Sequence, residues 1–159
     1  MSSKQKILLS DNSRGRKLSG VANGVIKPGM RVQIDVSEGR SANGLYTFEP
    51  FDPVGTGTIG NRGGAMMIVL EDAVQGRTVT DAYADEELLQ VYCPVIGDEL
   101  LVLLDDGSDA VSFGDMLISR GDGTFTETTG SVESEPFQAL ETVGNINSDT
   151  LVEAMYTGN

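Results

Sequence analysis

A small device recurs along this chain and limits what it can fold into: an apolar lead-in, a glycine, one or two variable residues, then a run of apolar residues. It occurs at Val25-Ile26-Lys27-Pro28-Gly29 before Met30, Val32 and Ile34, and at Val95-Ile96-Gly97 before Leu100 to Leu104. It returns at Val111-Ser112-Phe113-Gly114 before Met116, Leu117 and Ile118. Glycine takes turn conformations that other residues resist, and the aliphatic and β-branched residues behind it supply a strand. Each unit therefore predicts a turn-to-strand entry into a sheet.

Further strands are predicted at Leu45–Phe48, Met66–Leu70, Leu88–Cys93, Thr124–Thr128, Phe137–Thr142 and Leu151–Tyr156, separated by Gly, Asp, Asn and Pro clusters. Arg120-Gly121-Asp122-Gly123-Thr124 reads as a hairpin turn between Met116–Ser119 and the strand from Phe125. A spacing of roughly 8–12 residues suits an all-β fold, a single β-barrel or β-sandwich domain of short strands. At most one short helix is expected, at Val79–Glu87, with Thr80 or Asp81 as its cap. Residues 1–24 contain no periodic run and read as an extended N-terminal arm on a body of residues 25–159. Removing the first twenty residues is expected to leave that body folded. Glu49 to Gly64, with two prolines and five glycines, reads as a long exposed loop suited to contacts.

The charge is divided in the same way. Eight of the eleven basic residues, Lys4, Lys6, Arg14, Arg16, Lys17, Lys27, Arg31 and Arg40, lie in the first forty positions against three acidic ones, a net +5. The remaining 119 residues carry three basic and 21 acidic side chains, a net −18. A basic segment on an acidic body is drawn to an acidic partner over roughly 8–10 Å in physiological salt. Nucleic acid is the poorer partner, because the body repels phosphates and no aromatic residue precedes Tyr46 to stack on a base.

The motifs with chemical meaning have plainer explanations. Gly55-Thr56-Gly57-Thr58-Ile59-Gly60 matches a phosphate-binding string, but prolines precede it and no helix follows, so it reads as loop. Asp105-Asp106-Gly107-Ser108-Asp109 lacks the ligand spacing of a calcium loop and reads as a solvated turn, and Asp85-Glu86-Glu87 reads as a charged face. Arg120-Gly121-Asp122, a tripeptide read by adhesion receptors, is accounted for by the hairpin. The chain has no histidine and no tryptophan, which removes the commonest general base and metal ligand and leaves little for sugar stacking. No catalytic residue, cofactor or metal ligand is assigned, and the chain reads as a non-enzyme. The lone Cys93, in an apolar run, reads as a buried structural thiol. No apolar run approaches the roughly 20 residues that span a bilayer, and no signal peptide is visible, so the chain reads as soluble and made in a cytoplasm.

The run Val69-Leu70-Glu71-Asp72 … Gly76-Arg77-Thr78-Val79-Thr80-Asp81-Ala82-Tyr83, then Val95-Ile96-Gly97-Asp98-Glu99-Leu100, with Phe137-Gln138-Ala139-Leu140-Glu141 and Asp149-Thr150-Leu151-Val152-Glu153-Ala154, resembles the capsid decoration (cement) proteins of tailed viruses. These are small all-β proteins encoded near the major capsid protein. The resemblance spans about residues 20 to 157. It implies a protein added to the outside of an expanded capsid, commonly as a homotrimer, with the major capsid protein as partner and the virion surface as location. The arm would then dock through Lys4, Lys6, Ile7, Leu8, Leu9, Arg14, Arg16 and Lys17, with Phe51 and Arg62 in a second contact loop. A head-fibre or tail-associated adhesive module that binds a host surface ligand is the alternative within virion proteins.

Overall fold

The computed structural model describes residues 6–9, 14–52, 65–107, 109–128 and 137–158. They form ten strands: β1 Arg16–Ala22, β2 Val32–Ile34, β3 Tyr46–Pro50, β4 Ile68–Val69, β5 Leu88–Cys93, β6 Glu99–Leu104, β7 Met116–Ser119, β8 Phe125–Glu127, β9 Phe137–Ala139 and β10 Thr150–Tyr156. Five make an open sheet in the order β2-β3-β1-β5-β4, and five close into a barrel in the order β10-β6-β8-β7-β9. The all-β expectation is met.

The apolar runs of the sequence are continuous rather than alternating because both faces of these strands are covered. In β6, Val102 and Leu104 belong to the barrel's apolar cluster, while Leu103 between them joins the cluster of the open sheet. Ile68 and Tyr92 likewise pack into the barrel cluster, and their neighbours Val69 and Val91 into the other. The open sheet therefore lies with one face against the barrel, and Leu151 packs against both clusters.

Two glycines stitch the halves together. The Gly29 N–H donates to the Val69 carbonyl at 2.9 Å, and its own carbonyl accepts from the Leu103 N–H at 3.0 Å, so one residue joins the sheet to β6. Gly29 has φ +84°, and a Cβ there would lie 2.6 Å from Leu151 Cδ2 and 3.1 Å from the Leu103 nitrogen. Gly123, φ +82°, closes the β7–β8 turn, and its carbonyl accepts from the Arg31 N–H at 2.8 Å. Only a residue without a side chain allows both the left-handed backbone and this approach.

Three expectations are corrected. Residues 1–24 are not throughout an arm outside the body: Arg16–Ala22 form β1, which pairs with β5 from Arg16↔Cys93 to Val21↔Leu88 and lies inside the open sheet. Ile7 is fully buried in the barrel cluster, and Leu8 pairs with Leu100 of β6. Removing twenty residues would strip the body of Ile7 and most of β1, so the truncated body is not expected to stay intact. No helix forms over Val79–Glu87; Tyr83 instead exchanges backbone hydrogen bonds with Ile26, and its hydroxyl donates to the Leu70 carbonyl at 2.8 Å. The helical turn present is a 3₁₀ turn at Ala73–Gln75, capped by the Asp72 carboxylate, which accepts from the Val74 and Gln75 amides. Phe51 is 6 % exposed and packs under the Arg31 guanidinium, 3.5 Å from the ring centre, so it is core rather than contact surface.

The remainder of the expected loop, residues 53–64 with the Gly55–Gly60 string and Arg62, lies outside the described residues, as do Lys4 and Ser108. The hairpin at Arg120–Thr124 is present, with Ser119 opposite Phe125 and the Arg120 N–H donating to the Thr124 carbonyl at 2.8 Å.

Candidate docking surface

The N-terminal segment is fastened at three points before it reaches β1. The Ile7 N–H donates to Glu71 Oε2 at 2.8 Å, residues 7–9 pair with β6 through Leu9 N–H to the Glu99 carbonyl and Leu101 N–H to the Ile7 carbonyl, and the Gly15 N–H donates to the Tyr92 hydroxyl at 2.7 Å. Leu8 and Leu9 are half-buried against the barrel cluster. The backbone of Ile7, Leu8 and Leu9, expected to dock on a partner, is thus paired within the chain. What remains at the surface is the charge: Lys6, Arg14, Arg16 and Lys17 are all exposed.

Their electrostatic situation differs from that of the basic residues in the body. Lys27 pairs with Asp149, Arg77 with Glu87, and Arg120 with Asp105. Arg31 stacks on Phe51 and donates to Ser119 Oγ at 3.0 Å, and burial pulls it down to about 10, still charged at neutral pH. Arg40 lies over Tyr46 and donates to the Gly44 carbonyl at 2.6 Å. Among the described residues, Lys6, Arg14, Arg16 and Lys17 have no ion-pair partner. Lys6 and Lys17 border a shallow groove with Leu8, Leu70, Glu71 and Val74.

Other surface features are engaged by their own turns. The Asp122 carboxylate accepts from the Thr124 N–H at 2.9 Å and Arg120 pairs with Asp105, so neither charged end of Arg120-Gly121-Asp122 is held out for a receptor. Asp105 and Asp106 begin a turn in which Gly107 has φ +99°. Among the described residues no group of three or more Cys, Asp or Glu side chains is placed to hold a metal ion. Cys93 is half-buried opposite Arg16, and burial pushes its thiol up, opposed by the nearby Arg16 charge. A polar cleft is lined by Asn23, Arg40, Ser41, Asn43, Asp85 and Glu86, with Glu86 in a left-handed conformation at φ +64°.

The sequence does not reveal the setting of Arg16 and Lys17. They sit on strand β1, and the signal for it, Leu18-Ser19-Gly20-Val21-Ala22, is interrupted by Ser19 and Gly20 and does not register as an apolar run.

No family model matches the chain, and no curated protein matches it in sequence. In structure it is similar to the head fiber gp8.5 N base of bacteriophage phi29, with a TM-score of 0.53 and 13 % identity, over 90 % of this chain and 94 % of that one. At that identity the likeness is one of fold.

Proposed function

We propose that this chain is a non-enzymatic structural protein of a tailed-phage head: a decoration (cement) protein that binds the outside of the assembled shell and holds neighbouring major capsid protein subunits together, acting as a homotrimer. The observation that carries the reading is the set of exposed cations, Lys6, Arg14, Arg16 and Lys17, without ion-pair partners among the described residues, on a segment built into an otherwise acidic body. Charge of that kind selects an acidic protein surface and speeds docking to it. Lys4 and Arg62 are proposed to extend the same contact. The fold shared with a phage head-fibre base supports a place on the virion head.

The physical logic is that of a clamp. A protein that binds only the assembled shell stabilises it by mass action, and several weak contacts per trimer add through effective concentration. An acidic outer face keeps particles soluble and apart. Neither nucleic acid nor membrane is a proposed partner, because the −18 carried by residues 41–159 repels both phosphate backbones and anionic lipid.

The structural neighbour is itself a head-fibre base, and that favours a second reading, a fibre or adhesive module seated on the head and directed at a host ligand. Purified protein mixed with expanded heads that lack it, then sedimented over a range of salt, separates the readings. Cementing predicts saturable occupancy that falls steeply with salt, higher head stability on heating, and loss of binding in the triple variant Arg14→Gln, Arg16→Gln, Lys17→Gln. Undiminished occupancy by that variant would overturn the docking reading, and binding to host cells but not to heads would favour the adhesive one.

A further inference from the structure

Strand β1 is paired along most of its length on one side and for less than half of it on the other. Against β5 the register runs from Arg16 to Val21, but against β3 it covers only Gly20↔Tyr46, Val21↔Thr47 and Ala22↔Phe48. β3 starts at Tyr46 because the preceding chain turns back: the Ser41 N–H donates to the Leu45 carbonyl at 2.8 Å, and Arg40 bridges to Tyr46. Among the described residues, Arg16–Ser19 therefore has an open flank where β3 would run if it were longer.

The direction of the backbone groups follows from their parity. The Ala22 N–H donates to the Glu87 carbonyl at 2.9 Å and its carbonyl accepts from the Glu86 N–H at 2.8 Å, so the even-numbered residues of β1 bond toward β5. The Asn23 N–H donates to the Phe48 carbonyl at 2.7 Å, so the odd-numbered residues bond toward β3. Lys17 thus presents both its N–H and its carbonyl, and Ser19 its N–H, to the open flank, where no described residue pairs with them.

We propose that this flank is a strand-addition site for an extended, acidic segment of another protein, which would continue the line of β3 beside Arg16–Ser19. Unpaired strand edges are templates for pairing, with main-chain hydrogen bonds giving affinity and neighbouring side chains giving selectivity. Basic residues on an edge ordinarily discourage pairing, but that protection works against neutral or basic strands and inverts for an acidic one. Arg14, Arg16 and Lys17, all exposed and without ion-pair partners among the described residues, set that preference. The inference rests on the docking reading above and adds to it a backbone mechanism and a partner conformation.

The test uses the full chain and a blocked decapeptide of alternating glutamate and valine as probe. Binding should slow amide hydrogen exchange at Lys17 and Ser19 and leave Leu18, already bonded toward β5, unchanged. Lys17→Pro removes the outward N–H without touching a ladder bond, and should weaken the peptide by up to about tenfold, the loss of one net hydrogen bond together with the lysine charge. Lys17→Gln keeps the N–H and should weaken it less, with a reduced salt dependence. If the proline variant is misfolded, exchange on the unaltered chain decides alone. Peptide binding that leaves both amides unprotected, or full affinity in a folded Lys17→Pro, would overturn strand addition. So would protection of these amides by self-association at high concentration without peptide, which would assign the flank to a second copy. Lys17→Pro that still occupies heads fully would remove strand addition and leave the docking reading standing, whereas the triple glutamine variant tests the docking reading itself.

Discussion

The Tyr92 hydroxyl donates a 2.6 Å hydrogen bond to the carboxylate of Asp98 in the interior, and the same oxygen accepts the Gly15 N–H. Asp98 is 4 % exposed and also accepts from the Val95 N–H at 3.0 Å. One ring on β5 thus joins the turn before β6 to the segment that leads into β1. Tyr92→Phe leaves the buried Asp98 carboxylate short of a donor and should cost about 1–3 kcal/mol in urea unfolding. Exchange at the Gly15 amide should quicken at the same time. An unchanged unfolding midpoint would show that the hydroxyl does not hold the segment.

Ile7 anchors the N-terminal segment to the barrel. Its side chain is 0 % exposed within the barrel cluster, whereas Lys6 beside it is exposed. Ile7→Ser should cost about 2–5 kcal/mol, from lost burial and a buried hydroxyl, while Lys6→Ser should stay within about 0.5 kcal/mol. Equal, small effects from both would mean that residues 6–9 contribute nothing to the fold.

Gly123 tests the stitch between barrel and sheet. A Cβ at this position would lie 2.6 Å from the Arg31 carbonyl oxygen, on a backbone with φ +82°. Gly123→Ala should destabilise by more than about 1 kcal/mol. Gly39→Ala, also at positive φ but with nothing within 4 Å of the new atom, isolates the conformational share. The difference between the two, read from thermal unfolding, measures the steric share.

Asp35 sets part of the acid stability. It is 3 % exposed and accepts from the Ser37 hydroxyl and N–H, the Glu38 N–H and Asn23 Nδ2. The Ser37 hydroxyl, with the Asn23 amide and backbone N–H groups opposing the effect of burial, holds its carboxyl below the ordinary 3.8. The ionised form is therefore favoured in the folded state, so the stabilisation is present above the unfolded value and is lost as pH falls through the lowered folded one. Asp35→Asn should be less stable at neutral pH by about 1–3 kcal/mol and should lose less further stability on acidification. Parallel acid-unfolding curves for the two proteins would contradict this.

Sequence alone determined the class of this protein and its strongest elements. The run Leu100–Leu104 announced itself because a strand covered on both faces needs unbroken apolar residues, Leu88–Cys93 and Met116–Ser119 because aliphatic and β-branched residues cluster between turn signals, and the Asp122-Gly123 turn because its backbone demands glycine. It also located the divided charge. Tertiary structure decided the rest, wherever a segment's conformation is set by what it pairs with. Arg16–Ala22 has only Leu18, Val21 and Ala22 to mark it, interrupted by Ser19 and Gly20, and it is a strand because β5 and β3 supply its hydrogen bonds and Phe48 closes over Gly20. Val79–Glu87 carries helical capping signals, yet backbone pairing between Tyr83 and Ile26 outweighs them. Phe51 looks like a loop contact until Arg31 covers it. The same non-local pairing that built β1 left Lys17 and Ser19 facing a flank where no described residue pairs with them, a feature of neighbouring strand lengths that local sequence does not encode.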